Sequence, residues 1–509
     1  MKQLKRLSVW IMVTGLFIGS GCNRQEVAKF PADLEMSISL LEPGNQPETF
    51  SLQPAMDNDI YSLAADTELP VEVKATATKP SDDIRHITLT VSALEDVKFS
   101  LSGVLKVEHT TWEEGYFLLP GFWYRKNLRS SDNAPSARIS KDWMVRNDRM
   151  SVPLAGVFNT GTGASVTMCR IDEISGDVLA PYEKGDVVLY GNADIGSMGF
   201  GESRNGSALL SFTYPYAEFP RTYIRKLTLD PPVQTFLHLD AGESRTVSFE
   251  MREWESGSYS AFVREVWNHA YDFFRPELVP EKRTDEEIKT VLADYFRQSY
   301  TDDYPVKGFS GVRLRTDLCE QRGILEVGFV GRVLLNAYNA LEFGYDTGDD
   351  ELIQMAWDIY DSYSSHGFTE GGFLREVIDY REGHEAEVYS IRRQSEGLFA
   401  LLQFLELEKK HERTHPELEE QVRSLLDKVV ALQRDNHFPR KFRDNMQVTD
   451  NSGGSSSTAV VPLLMGWKYF GDETYLAAAQ NTAEYLEEEI VSKGDYFSST
   501  LDSNCEDKE

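Results

Sequence analysis

Cysteine is scarce in this chain. Cys22, Cys169, Cys319 and Cys505 are spread over 509 positions. None stands in the C-x-x-C spacing of a zinc or redox site, so neither a disulfide framework nor a structural metal is expected. Positive charge is also short. Against 82 Asp and Glu there are 52 Lys and Arg, a formal charge of −30. Binding to nucleic acid neutralises phosphates with cations, so this composition argues against that partner. No HExxH, GxSxG, Walker or dinucleotide-glycine signature stands in a context that supports it, and Gly453-Gly454 lies in a Gly/Ser stretch without the lysine of a phosphate loop. No cofactor is expected. The apolar run from Val9 to Ile18 is too short for an ordinary membrane span.

That run follows Lys2, Lys5 and Arg6 and leads into Gly19-Ser20-Gly21-Cys22. A charged start, a short apolar stretch and small residues before a cysteine resemble a bacterial lipoprotein signal. The resemblance implies a signal peptide at 1–22, a lipid on Cys22 and a tether at 23–33. Membrane contact would then run only through the lipid, in the periplasm or at the outer membrane of a bacterial envelope. Three cysteines then remain, which leaves no even set to pair, and Cys169 is expected as a small buried hydrophobe.

Residues 34–252 read as β structure. MSISLLEP, VEVKATAT, HITLTVSAL, VKFSLSGVL, GDVVLYG, ALLSFTY, TYIRKLTL and RTVSFEM alternate or are rich in β-branched residues, and turn-rich pieces such as NTGTGAS and SRNGS separate them. Many short strands of this kind predict a large antiparallel sandwich. The aromatic stretch Leu118–Arg125 has two readings, a loop packed on its own sandwich or one leaning on a second domain.

From Trp254 the pattern becomes helical. Residues 253–283 read as a linker helix region. TDEEIKTVLADYFRQSY then opens with Thr284 and an acidic first turn, a helix-start signature. Polar loops begin near Tyr304, His366, His437 and Tyr496, a spacing of roughly sixty to seventy residues, longer than common solenoid repeats. Each of the first three leads into an apolar helix (ILEVGFVGRVLLNAYNAL, GLFALLQFLEL, TAVVPLLMGWKYF), and an amphipathic acidic helix follows each. The apolar helices are predicted to be inner and the amphipathic ones outer.

This alternation, with the long loops at one end, resembles the six-hairpin glycosidase superfamily, in particular members with a β super-sandwich before an (α/α)6 barrel. The resemblance implies a multidomain β plus α fold: an antiparallel β super-sandwich at 34–252 and a partial, incomplete (α/α)6 toroid at 284–509. It also implies an active site where the loops 302–320, 366–396, 437–455 and 495–509 meet the inner helices.

Glycoside hydrolysis needs two carboxyl groups flanking the bond. Glu396, read as the start of an inner helix, is the first candidate. Asp379, Glu382, Glu385 and Asp502 follow. For substrate binding, Arg375 offers a planar fork to a sugar carboxylate. Tyr380 and His384 offer hydrogen bonds, Phe368 and Phe373 offer aromatic faces, and Asp450, Asn451 and Glu506 sit in later loops. Phe309, Phe438 and Tyr496 are further aromatics at loop starts. The expected function is that of a glycoside hydrolase acting on oligosaccharides or polysaccharides. A lyase or sugar epimerase on the same fold, using Tyr380, His384 and Arg375, is one alternative. A glycan-binding lipoprotein or inactive remnant is the other.

Overall fold

The computed structural model describes residues 26–492, except 43, 58, 129–133, 174–186, 191–193, 226–227, 279–281, 310–322, 330 and 452–453. Cys22, Cys319, Tyr496, Asp502, Cys505 and Glu506 lie outside the described residues. Two compact units are present. One takes the chain to Arg125 with 140–224 and 230–264, and the other takes 126–139, 225–229 and the chain from 265.

The first unit is a large, mainly antiparallel sheet system. Period-two patterning sets its faces. In the strand Val71–Ser81, Val71, Val73, Ala75 and Ala77 are buried while Glu72, Lys74 and Thr76 are exposed. The long strand Val97–Thr111 pairs with Leu34–Leu40, Ser207–Tyr214 and Val233–Leu239. Ser244–Glu255 pairs with Ile84–Ala93 and Ala164–Arg170. Between these layers Phe212 stacks on Phe249 at 3.9 Å and Phe117 on Phe200 at 4.4 Å. Gly103 is required here, because a Cβ would lie 2.2 Å from the Phe212 ring. The aromatic stretch packs within its own unit: Trp123 is fully buried against Phe200 and Trp143. Cys169 is a buried free thiol, pushed upward in pKa by that burial.

Among the described residues there are eight α-helices: α1 Tyr259–Phe274, α2 Asp285–Ser299, α3 Val333–Thr347, α4 Asp350–His366, α5 Ile391–Lys410, α6 Pro416–Leu432, α7 Ser457–Phe470 and α8 Glu473–Tyr485. None is long and apolar enough to cross a membrane. Thr284 forms a full capping box at the start of α2. Its hydroxyl accepts from Glu287 N–H at 3.2 Å, and its own N–H donates to Glu287 Oε2 at 2.9 Å. In the second unit α3 packs on α5 and α5 on α7, while α4 packs on α6 and α6 on α8. The apolar helices therefore contact one another, as do the amphipathic ones. Tyr360 of α4 stacks on Phe404 of α5 at 3.7 Å, joining the two rows.

Two local expectations are corrected. The helix read from Ile324 begins only at Val333, and Ile324–Glu326 is a strand. Gly328 explains the break: a Cβ there would lie 2.6 Å from Glu396 Oε2 and 2.8 Å from Arg393 Cα, so backbone passes directly against α5. α5 itself starts at Ile391, with the Ser390 hydroxyl accepting from Arg393 N–H at 3.2 Å. Glu396 is therefore in its second turn, not at its start. Ser456 makes no side-chain cap to α7. Its hydroxyl instead accepts from Phe438 N–H at 2.8 Å and sits 3.3 Å from Phe438 O.

Candidate active site

Short strands run through the segment 366–396. Ile324–Glu326 pairs with Val377–Asp379, which turns back onto His384–Glu385. This register separates the candidates. Asp379 lies opposite Ile324, and the tip 380–383 extends beyond it. Val327, whose N–H donates to Glu376 O at 2.9 Å, is three residues along. At about 3.3 Å per residue that is roughly 10 Å. Glu396 lies beyond Val327, against Gly328. The structure therefore does not bring Asp379 and Glu382 to Glu396.

Most of the expected residues are engaged locally. Asp379 is buried and holds the turn, accepting from Arg381 N–H at 3.0 Å, from the Arg381 side chain and from Glu382 N–H at 3.3 Å. Burial pushes its carboxyl up, but these hydrogen bonds outweigh that and hold it below the usual range. A carboxyl held ionised in this way is a poor general acid. Glu382 and His384 are exposed at the tip. Arg375 pairs with Glu385 rather than with Glu376 or Asp379. The Tyr380 hydroxyl accepts from Val306 N–H at 3.1 Å while its ring stacks on Tyr304 at 4.5 Å. Burial raises that phenol, which opposes the role of base.

Phe373, Phe309 and Phe438 are fully buried, so they offer no face to a sugar. Phe373 packs against Phe442 at 4.9 Å. Phe368 is half-buried. Asp450 pairs with Arg440 at 2.9 Å, and the Asn451 carbonyl accepts from His437 Nε2 at 3.2 Å.

What surrounds Glu396 is a polar layer that sequence reasoning missed. Glu396 Oε2 accepts from Phe329 N–H. Its Oε1 takes Arg392 Nε at 3.1 Å, with Arg332 at 3.7 Å. Across the same loop, Glu326 Oε2 accepts from Gly331 N–H at 3.3 Å and Oε1 takes Arg393 Nε at 2.6 Å. Arg392 and Arg393 lie over the Phe329 ring at 4.8 and 5.7 Å. Beneath them is Glu376, fully buried. Its Oε1 accepts from Ser390 N–H at 2.6 Å and Gln394 Nε2 at 3.2 Å. Its Oε2 has no hydrogen-bond partner, and Arg393 is 3.8 Å away. Burial is the main cause that pushes this carboxyl up to about 8. The Glu396 side chain is 20% exposed and that of Glu326 only 3%, so solvent reaches the first of the two carboxylates. A sequence signal existed in the glycines Gly328 and Gly331, which argue against an unbroken helix through Glu326.

Among the described residues no group of three His, Cys, Asp or Glu side chains is placed to hold a metal ion. No family model and no curated protein matches the sequence. Structural neighbours include glycosidases, a mannose isomerase, sugar epimerases and a polysaccharide lyase. They include unsaturated glucuronyl hydrolase from Bacillus sp. GL1 (TM-score 0.32, 16% identity, 40% of this chain and 57% of that one). Cellobiose 2-epimerase from Bacillus thermoamylovorans B4167 gives a TM-score of 0.33 at 13% identity, over 40% of this chain and 54% of that one. A polysaccharide lyase gives 0.32 at 10% identity, over 89% of this chain and 75% of that one. The chain thus spans little more than half the length of the first two.

Proposed function

We propose that the helical unit carries a glycoside hydrolase site acting on oligosaccharides or polysaccharides, with Glu396 as a catalytic carboxyl and Glu326 as the second. One observation carries this reading: two carboxylates flank one loop, 327–332, beside the N-terminal turns of α5, and solvent reaches Glu396. Two carboxyl groups on either side of the scissile bond are what the reaction requires. Glu396 would act as base or nucleophile at its Oε1, beside Arg392 at 3.1 Å and Arg332 at 3.7 Å. The lyase alternative is weakened by Tyr380, whose hydroxyl is committed to Val306 N–H. Lipid attachment at Cys22 in a bacterial envelope belongs to the same proposal.

The test is release of reducing sugar from a panel of oligosaccharides by the full chain, alongside Glu396→Gln and Glu326→Gln. Each variant is expected to lose roughly 10² to 10⁴ in kcat. Activity within twofold of the parent in Glu396→Gln would overturn the assignment. An unsaturated product absorbing in the ultraviolet would make the chain a lyase instead.

A further inference from the structure

We infer that this site binds a sugar bearing a carboxylate, recognised by Arg332 and Arg392. The inference rests on the location proposed above and names the substrate class. Three guanidinium groups, of Arg332, Arg392 and Arg393, converge there on Glu326 and Glu396, with the buried Glu376 at 3.8 Å from Arg393. Such a gathering of arginines stands out in a chain of net charge −30.

The three arginines are not equivalent. Arg393 is 18% exposed and held at 2.5 and 2.6 Å by Glu326. Arg392 is 33% exposed, and Arg332 is 46% exposed, with its Nε donating to Phe329 O at 2.9 Å and Glu396 at 3.7 Å. The outer two therefore keep donors for an incoming anion, and a guanidinium fork matches a carboxylate in two parallel hydrogen bonds. The backbone is bent to present them. Phe329 and Arg332 both adopt left-handed conformations, with φ of +58° and +45°. Non-glycine residues enter that region at a cost, and such strain clusters at ligand sites. The Phe329 ring lies 4.8 Å from the Arg392 guanidinium carbon, within cation–π range.

Binding of methyl glucuronide and methyl glucoside to the full chain, measured by titration calorimetry at low and at high salt, tests this. The glucuronide is expected to bind at least tenfold tighter at low salt, with the preference shrinking as salt rises. Arg332→Gln and Arg392→Gln are each expected to remove most of it. Arg332 is partly exposed, so its variant keeps its fold, and an unchanged melting temperature verifies this. Equal affinity for the two glycosides, or a preference untouched by both substitutions, overturns the inference even if Glu396-dependent cleavage is found. If Arg332-dependent glucuronide binding occurs with no bond cleaved, the inference stands and the hydrolase reading falls.

Discussion

Glu326 and Glu396 hold one loop from its two sides, Glu326 through Gly331 N–H at 3.3 Å and Glu396 through Phe329 N–H. They come from a strand and a helix seventy positions apart in sequence. Each is further tied to an arginine of α5, Arg393 for Glu326 and Arg392 for Glu396. The loop, the two carboxylates and the helix start thus form one polar assembly.

Beneath it, Glu376 makes stability depend on pH. Its folded pKa, about 8, is above that of an unfolded glutamate, so the folded state holds the extra proton between the two values. Stability is fully present below the ordinary carboxylate range. It declines as pH rises toward 8 and levels off above, with a slope of at most about 1.4 kcal/mol per pH unit. The charged or titratable neighbours are Arg393, Glu326 and Tyr389. Glu376→Gln is expected to flatten this decline, which urea unfolding at pH 5, 7 and 9 measures. An unchanged slope refutes the assignment.

Asp379 and Glu396 are expected to separate structure from chemistry. Asp379→Asn weakens the hydrogen bonds that hold the turn at 380–383, costing about 1 kcal/mol of stability. Its kcat should remain within about twofold of the parent, in contrast to Glu396→Gln. Thermal unfolding and turnover measured on the same preparations decide this.

Ser456 is buried and joined to both the N–H and the carbonyl of Phe438. Ser456→Ala leaves that N–H unsatisfied in the interior. A loss of about 1–3 kcal/mol is expected in urea unfolding. If the hydroxyl served only as a helix cap, Ser456→Asp would preserve stability; here it is expected to lower it further.

In the sandwich, Phe212→Ala removes the ring that stacks on Phe249 and covers Gly103. A loss of about 3–5 kcal/mol follows from the cavity. Near-ultraviolet circular dichroism and chemical denaturation provide the check.

The sequence by itself determined the elements. Alternation in Val71–Ser81 and apolar periodicity in α5 are local patterns, because each residue's burial follows from the repeat of its own backbone. Thr284 and Glu287 announced the start of α2 three positions apart. Glu396 was legible as a candidate because it stands next to an apolar helical run. Its surroundings were not. Glu326 and Gly328 are adjacent to α5 only through the pairing of Ile324–Glu326 with Val377–Asp379, a register that no local pattern encodes. The same register carries Asp379 and Glu382 away from Glu396, although they are nearer to it in sequence than Glu326 is. Tertiary structure also decided which aromatics are core: Phe373 and Phe368 look alike as residues, but only Phe373 is closed over by Phe442 and Tyr389. Long-range pairing sets burial and charge environment at the site, and a linear pattern of residue types contains neither.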